Sequence, residues 1–238
     1  MRWRHLAAWG VHLYTASGAV IGMLALDAIT RGAYGAAFAW MILATLIDST
    51  DGTLARRARV KEVLPHFDGA KLDDIVDYLN YVVVPIALAY TAGLVPTGTA
   101  GIAVAAAPLL ASGYGFCHAA AKTPDHFFTG FPSYWNVVVF HLYTLGGPMW
   151  FNIAVLLVLS VLVFVPTRYL YPSRGPVART ATYVLGGIWA LLLVILLLQF
   201  PHPSRPLALL SLYFPAYYLA MSFHVHRTHP RARHAIRS

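Results

Sequence analysis

The sequence predicts an all-α integral membrane protein of about eight transmembrane helices, and three observations predict it. Of 238 residues, 58% are hydrophobic and only 11% charged, and the mean hydropathy is +0.62; a soluble domain carries about a quarter charged residues. The apolar residues gather in runs close to the roughly 20 residues that cross a hydrocarbon core. Taken as spans, those runs sort the basic residues onto one side.

The first run, 9–30, follows Arg2 and Arg4 and lacks a small-residue cleavage pattern, so it reads as a span and not a removed leader. The runs 33–51 and 72–94 flank a polar stretch rich in acids. Run 99–121 ends at Lys122. Runs 132–147 and 149–167 are divided by Gly146, Gly147 and Pro148, and runs 178–199 and 206–224 follow. No repeat, low-complexity segment or soluble domain interrupts them, so one transmembrane domain takes residues 1–238. The single cysteine, Cys117, excludes an internal disulfide and a cysteine zinc site and reads as a small packing residue.

With eight spans, fifteen of the 17 Lys and Arg residues share one side. They are Arg2, Arg4, Arg56, Arg57, Arg59, Lys61, Lys71, Lys122, Arg168, Arg174, Arg179, Arg227, Arg231, Arg233 and Arg237. Only Arg31 and Arg205 take the other side. Basic loops stay in the cytoplasm, so both termini are expected there, and losing one span would scatter the cations. The pI of 9.7 belongs to these loops and does not indicate nucleic acid. The C-terminal Arg residues with His224, His226, His229 and His234 read as a basic tail drawn to anionic headgroups of membrane lipids.

Seven of the nine acids lie between residues 48 and 77, and acids at a membrane span are costly enough to imply function. Asp48 and Asp51 are i,i+3 at the end of the second span. Asp73 and Asp77 are i,i+4 at the start of the third, so each pair shares a helix face. A short connection lets the two ends meet, and four carboxylates repel one another without a cation. An all-oxygen donor set suits Mg²⁺ or Mn²⁺, and four carboxylates suit two ions. Gly52 permits close approach, Ala55 keeps the next turn open, and Arg56 offers its fork to a phosphate. Asp77 is placed to take a proton from an alcohol. Asp74, Glu62 and Asp68 read as caps or surface charges. A divalent-cation transporter would hold its acids near the midplane and has no use for the Gly-x2-Ala-Arg feature.

The region 48–77 resembles the signature of the CDP-alcohol phosphotransferase family, D-x2-D-G-x2-A-R, a loop, then G-x3-D-x3-D. Every fixed position is filled, by Asp48, Asp51, Gly52, Ala55, Arg56, Gly69, Asp73 and Asp77. The loop from Arg56 to Gly69 is a few residues longer than is usual there. The resemblance implies that family's fold, a bacterial inner (cytoplasmic) membrane location and a homodimer. It implies that Asp48, Asp51 and Asp73 bind two Mn²⁺ or Mg²⁺ ions, with Asp77 sharing the second ion and acting as general base. It also implies that Gly52, Ala55, Arg56 and Gly69 contact CDP-diacylglycerol.

The segments 12–18, 131–136 and 165–174 resemble those members of the family that transfer the phosphatidyl group to choline, releasing CMP. Choline is a quaternary ammonium that prefers aromatic faces. The aromatic residues placed to meet it are Tyr134 and Trp135 at the start of the fifth span, Tyr78 and Tyr81 beside the acids of the third, and Tyr114 with Phe116 in the fourth. Asn136 either orients the substrate or caps its helix. Serine, glycerol 3-phosphate or inositol phosphate are the alternative alcohols; a second phosphate would call on Lys122, Arg168 and Arg174. Asp125 either offsets the charge of choline or is a helix-end acid.

Overall fold

The computed structural model describes residues 2–118, 127–170 and 179–228. Lys122, Asp125, Arg174 and the tail residues His229, Arg231, Arg233, His234 and Arg237 therefore lie outside the described residues.

The first helix, α1 (Arg2–Thr30), buries Thr15, Gly18, Gly22, Ala25 and Ala28 on one face. Such a stripe of small residues lets neighbouring backbones come close, the main way helices associate without a water-driven hydrophobic effect. Gly32, at φ 69°, turns the chain into α2 (Tyr34–Arg57), which lies along α1. Arg56 and Arg57 fall in its last turn, where cations favour the negative end of the helix dipole. Arg59 is left-handed at φ 50° and starts the short α3 (Val60–Val63). Next comes α4 (Gly69–Asp77), whose N-cap Asp68 accepts a hydrogen bond from the Lys71 N–H.

The rod does not stop at Asp77. It continues through one wide π turn, Tyr78–Val83, into α5 (Val84–Thr91). Pro85 lies at the start of α5; it lacks an N–H, so a regular ladder cannot pass through it. Wide turns of this kind occur preferentially at functional sites.

Beyond these come α6 (Gly98–Cys117), α7 (Trp135–Leu145), α8 (Met149–Phe164), α9 (Arg179–Leu198), α10 (Arg205–Ser211) and α11 (Tyr213–Thr228). Among the described residues each of the eight apolar runs is mostly helical, but only four helical segments are long and apolar enough to cross a membrane: Arg2–Thr30, Gly98–Cys117, Thr180–Leu198 and Arg205–Thr228. The others fall short for identifiable reasons. Asp48, Asp51, Arg56 and Arg57 sit within α2, and acids open the third run. Left-handed Gly146 and Pro148 cut the region 132–167 into helices of 11 and 16 residues. On α9, Val184, Ile188, Leu191 and Leu198 are all exposed, as a lipid-facing helix requires.

The sequence shows no strand, but among the described residues there is a two-stranded antiparallel ribbon. It pairs β1 (Phe127–Thr129) with β2 (Arg168–Leu170), Thr129 opposite Arg168. Three residues are too few to show a period of two. Gly130, at φ 82°, follows β1, and a Cβ there would lie 2.1 Å from the Val163 carbonyl oxygen. The ribbon thus ties the start of α7 to the end of α8. His224 and His226 belong to α11 and not to a free tail, and the Arg168 N–H donates to His226 Nδ1 at 3.3 Å.

Candidate active site

Asp48 and Asp51 lie on α2, and Asp73 and Asp77 on α4. The local spacing puts each pair on one face; α1 brings the two faces together. At Gly18 a Cβ would lie 2.6 Å from Val76 Cγ1, and at Gly22 2.9 Å from Leu79 Cδ2. The bare backbone of α1 therefore seats α4 and the π turn directly against it. The Asn80 amide fastens the contact, donating to the carbonyls of Gly18 at 2.9 Å and Val76 at 3.0 Å. On the α2 side, Thr15 donates to Asp51 Oδ2 at 2.8 Å, and the Tyr14 hydroxyl bonds the Thr50 hydroxyl at 2.9 Å.

All four carboxylates line one cleft, together with Thr15, Gly18, Ala44, Ile47, Asn80 and Tyr81. Asp51 is buried at 6% exposure, and its bond to Thr15 compensates the lost hydration of one oxygen. Asp48, Asp73 and Asp77 are half-buried, and one oxygen from each lies within 4.8 Å of the others. Oxygens that share one hard cation at about 2.1–2.4 Å stand about 3–5 Å apart, so this trio fits a divalent ion. The Tyr81 hydroxyl, one turn beyond Asp77, donates to Asp48 Oδ2 at 2.7 Å. Such partners hold a ligand carboxylate in the orientation a metal needs.

Gly52, Ala55 and Arg56 follow Asp51 along α2. Gly52 and Ala55 are half-buried and Arg56 is exposed, donating to the Thr53 hydroxyl at 2.8 Å. Gly69 faces another way: a Cβ there would lie 2.5 Å from His12 Cε1. Its missing side chain serves the packing of α4 on α1. The long loop before it docks on the same helix, with the Phe67 ring 4.3 Å from His12 and 5.2 Å from Trp9.

The six residues assigned to choline divide. Tyr81 and Tyr134 meet, with ring centroids 6.3 Å apart, and Asn136 donates to Thr45 at 3.2 Å, one turn before Asp48. The other Asn136 amide atom, Oδ1, accepts from the Val137 N–H at 2.9 Å. Trp135 is fully buried, with its indole N–H donated to Ser112 at 2.7 Å, so it anchors α7 to α6. Tyr78 donates to the Leu109 carbonyl at 2.9 Å and packs on Phe116. Tyr114 packs on Phe164 at 5.0 Å, on the α8 side of α6. Interfacial position alone did not distinguish these three from the pair that meets beside Asp48. Thr15 and Gly18 lie in the resembling segment 12–18, which assigns them no role, and the sequence reading does not single out Asn80; the small-residue spacing of Gly18 and Gly22 is a further signal.

No family model matches the chain. Among curated proteins it is similar to phosphatidylcholine synthases from several bacteria. The protein from Legionella pneumophila is 40% identical over 228 residues, covering 93% of this chain and 89% of that protein. The one from Legionella bozemanae is 37% identical over 213 residues, covering 87% and 98%. The one from Pseudomonas aeruginosa is 39% identical over 209 residues, covering 88% and 87%. At these identities and coverages, with the carboxylates of α2 and α4 lining one cleft, the chain belongs to the phosphatidylcholine synthase family.

Proposed function

We propose that the chain transfers the phosphatidyl group of CDP-diacylglycerol to choline, giving phosphatidylcholine and CMP. The observation that carries this reading is the cleft in which Asp48, Asp73 and Asp77 offer oxygens to one point, in a chain whose relatives are named for that product. Asp48, Asp51, Asp73 and Asp77 would hold two Mn²⁺ or Mg²⁺ ions, which when bound neutralise a diphosphate and ease loss of CMP. Asp77 accepts the proton of the choline hydroxyl as its oxygen bonds to the lipid-bearing phosphorus and the bond from that phosphorus to CMP breaks. Arg56, exposed beyond Gly52, supplies a fork to the diphosphate. Thr15 and Tyr81 fix Asp51 and Asp48, so the acceptor groups stay in place while charge moves.

The same reading makes the chain one multi-pass domain of the CDP-alcohol phosphotransferase fold in a bacterial inner membrane. α2, α4 with α5, α7 and α8 complete eight spans, and both termini are cytoplasmic. The one-sided Lys and Arg distribution supports this. It puts the carboxylate cleft at the cytoplasmic surface, where a water-soluble alcohol meets a membrane-held CDP-lipid.

The test is purified protein in detergent with CDP-diacylglycerol, labelled choline and Mn²⁺. Labelled phosphatidylcholine is expected from the wild type, and none from Asp77→Asn, which retains CDP-lipid binding. Product with serine or glycerol 3-phosphate but not with choline overturns the substrate assignment. Full turnover by Asp77→Asn overturns the role of that residue as base.

A further inference from the structure

A row of tyrosines leads away from the carboxylates, and half of it was not visible in the sequence. Tyr81 is tied to Asp48 through its hydroxyl, so its ring stands beside the acids. Tyr134, at the start of α7, lies 6.3 Å from Tyr81 with the ring planes 66° apart. Tyr218, on α11, lies 6.3 Å from Tyr134 with the planes 67° apart. Tyr169, on β2, lies behind Tyr218 at 6.3 Å and 21° and is 1% exposed.

What sets this row apart from other ring contacts is where it begins. Tyr81, Tyr134 and Tyr218 meet edge to face, Tyr169 stacks behind Tyr218, and the row starts at the hydroxyl that holds Asp48. Tyr134 and Tyr218 are half-buried.

Choline carries its trimethylammonium only two carbons from the reacting hydroxyl. Asp77 and Tyr81 line the same cleft one helical turn apart, so a hydroxyl held at Asp77 leaves the cation within reach of the Tyr81 ring. A quaternary ammonium has no N–H to donate, and ring faces within about 6 Å are its natural partners. Resting on the proposed choline transfer, we propose that Tyr81, Tyr134 and Tyr218 wall the trimethylammonium site, with Tyr169 as the backing ring. The C-terminal helix α11 thereby takes part in selecting the alcohol.

The test is steady-state kinetics of the full chain in detergent with CDP-diacylglycerol, Mn²⁺ and either choline or dimethylethanolamine. Tyr218→Leu is expected to raise the choline KM about tenfold, leave the CDP-diacylglycerol KM unchanged, and narrow the preference for choline over dimethylethanolamine. Tyr218→Phe keeps the ring and should recover most of the choline affinity that Tyr218→Leu loses. Tyr134→Leu, on a different helix, carries the same expectation should Tyr218→Leu fail to fold. An unchanged choline KM in the Leu variant, or equal changes in both KM values, overturns the cage. A wild-type enzyme that does not use choline at all overturns the underlying reaction instead.

Discussion

Replacing Gly18 by alanine is a direct test of how α1 positions the acids. The new Cβ would lie 2.6 Å from Val76 Cγ1, whereas carbon atoms in contact stand about 3.5–4.0 Å apart. The overlap is therefore about 1 Å. Val76 has little room to yield: it is 8% exposed, and a β-branched side chain in a helix holds essentially one rotamer. The strain must separate α1 from α4, and α4 carries Asp73 three residues before Val76 and Asp77 one residue after. Overpacking of this size costs about 1–3 kcal/mol of stability. A displacement of about 1 Å in a reacting group costs about 10²-fold in rate. The assay is the initial rate of phosphatidylcholine formation in detergent, with Gly10→Ala as control because nothing lies within 4 Å of that position. Gly18→Ala should lose between one and two orders of magnitude, roughly, while Gly10→Ala stays near wild type. Adding Val76→Ala removes the offending methyl and should restore much of the rate, since residues in contact do not behave additively. A wild-type rate for Gly18→Ala, or a double variant no better than the single, refutes the reasoning.

Tyr81→Phe removes the hydroxyl that donates to Asp48 but keeps the ring. The Mn²⁺ concentration for half-maximal activity should rise about tenfold, with little change in choline KM; an unchanged metal requirement would show that Asp48 is held by other means. Thr15→Val keeps the shape of Thr15 but strips the donor from buried Asp51, which should cost about 1–3 kcal/mol, read as a lower thermal midpoint in detergent that fails to appear if solvent satisfies Asp51.

The acid geometry was legible because it is local. Residues three and four apart share a face in any helix, so the pairing of Asp48 with Asp51 and of Asp73 with Asp77 needed no tertiary information. The cap at Asp68 was legible for the same reason. The aromatic assignments were not, because Tyr and Trp at helix ends face lipid, core or ligand according to their neighbours. Trp135 turned to Ser112, Tyr78 to Leu109 and Tyr114 to Phe164. Gly69, read as a contact to the CDP-lipid, has a packing role that the spacing did not show: it makes room for His12.

By itself, the sequence determined the membrane character, the placement of helices and the two acid-bearing faces, since hydropathy and helical periodicity act over a single turn or a single span. The tertiary structure decided what joins those faces. Gly18 and Asn80 are 62 residues apart and Thr15 and Asp51 are 36 apart, and no periodic pattern records a contact at such separations. The same holds for the tyrosine row, drawn from the π turn, α7 and α11, which no stretch of chain contains. Local spacing aimed the carboxylates, and the close approach permitted by the small residues of α1 brought them to one cleft.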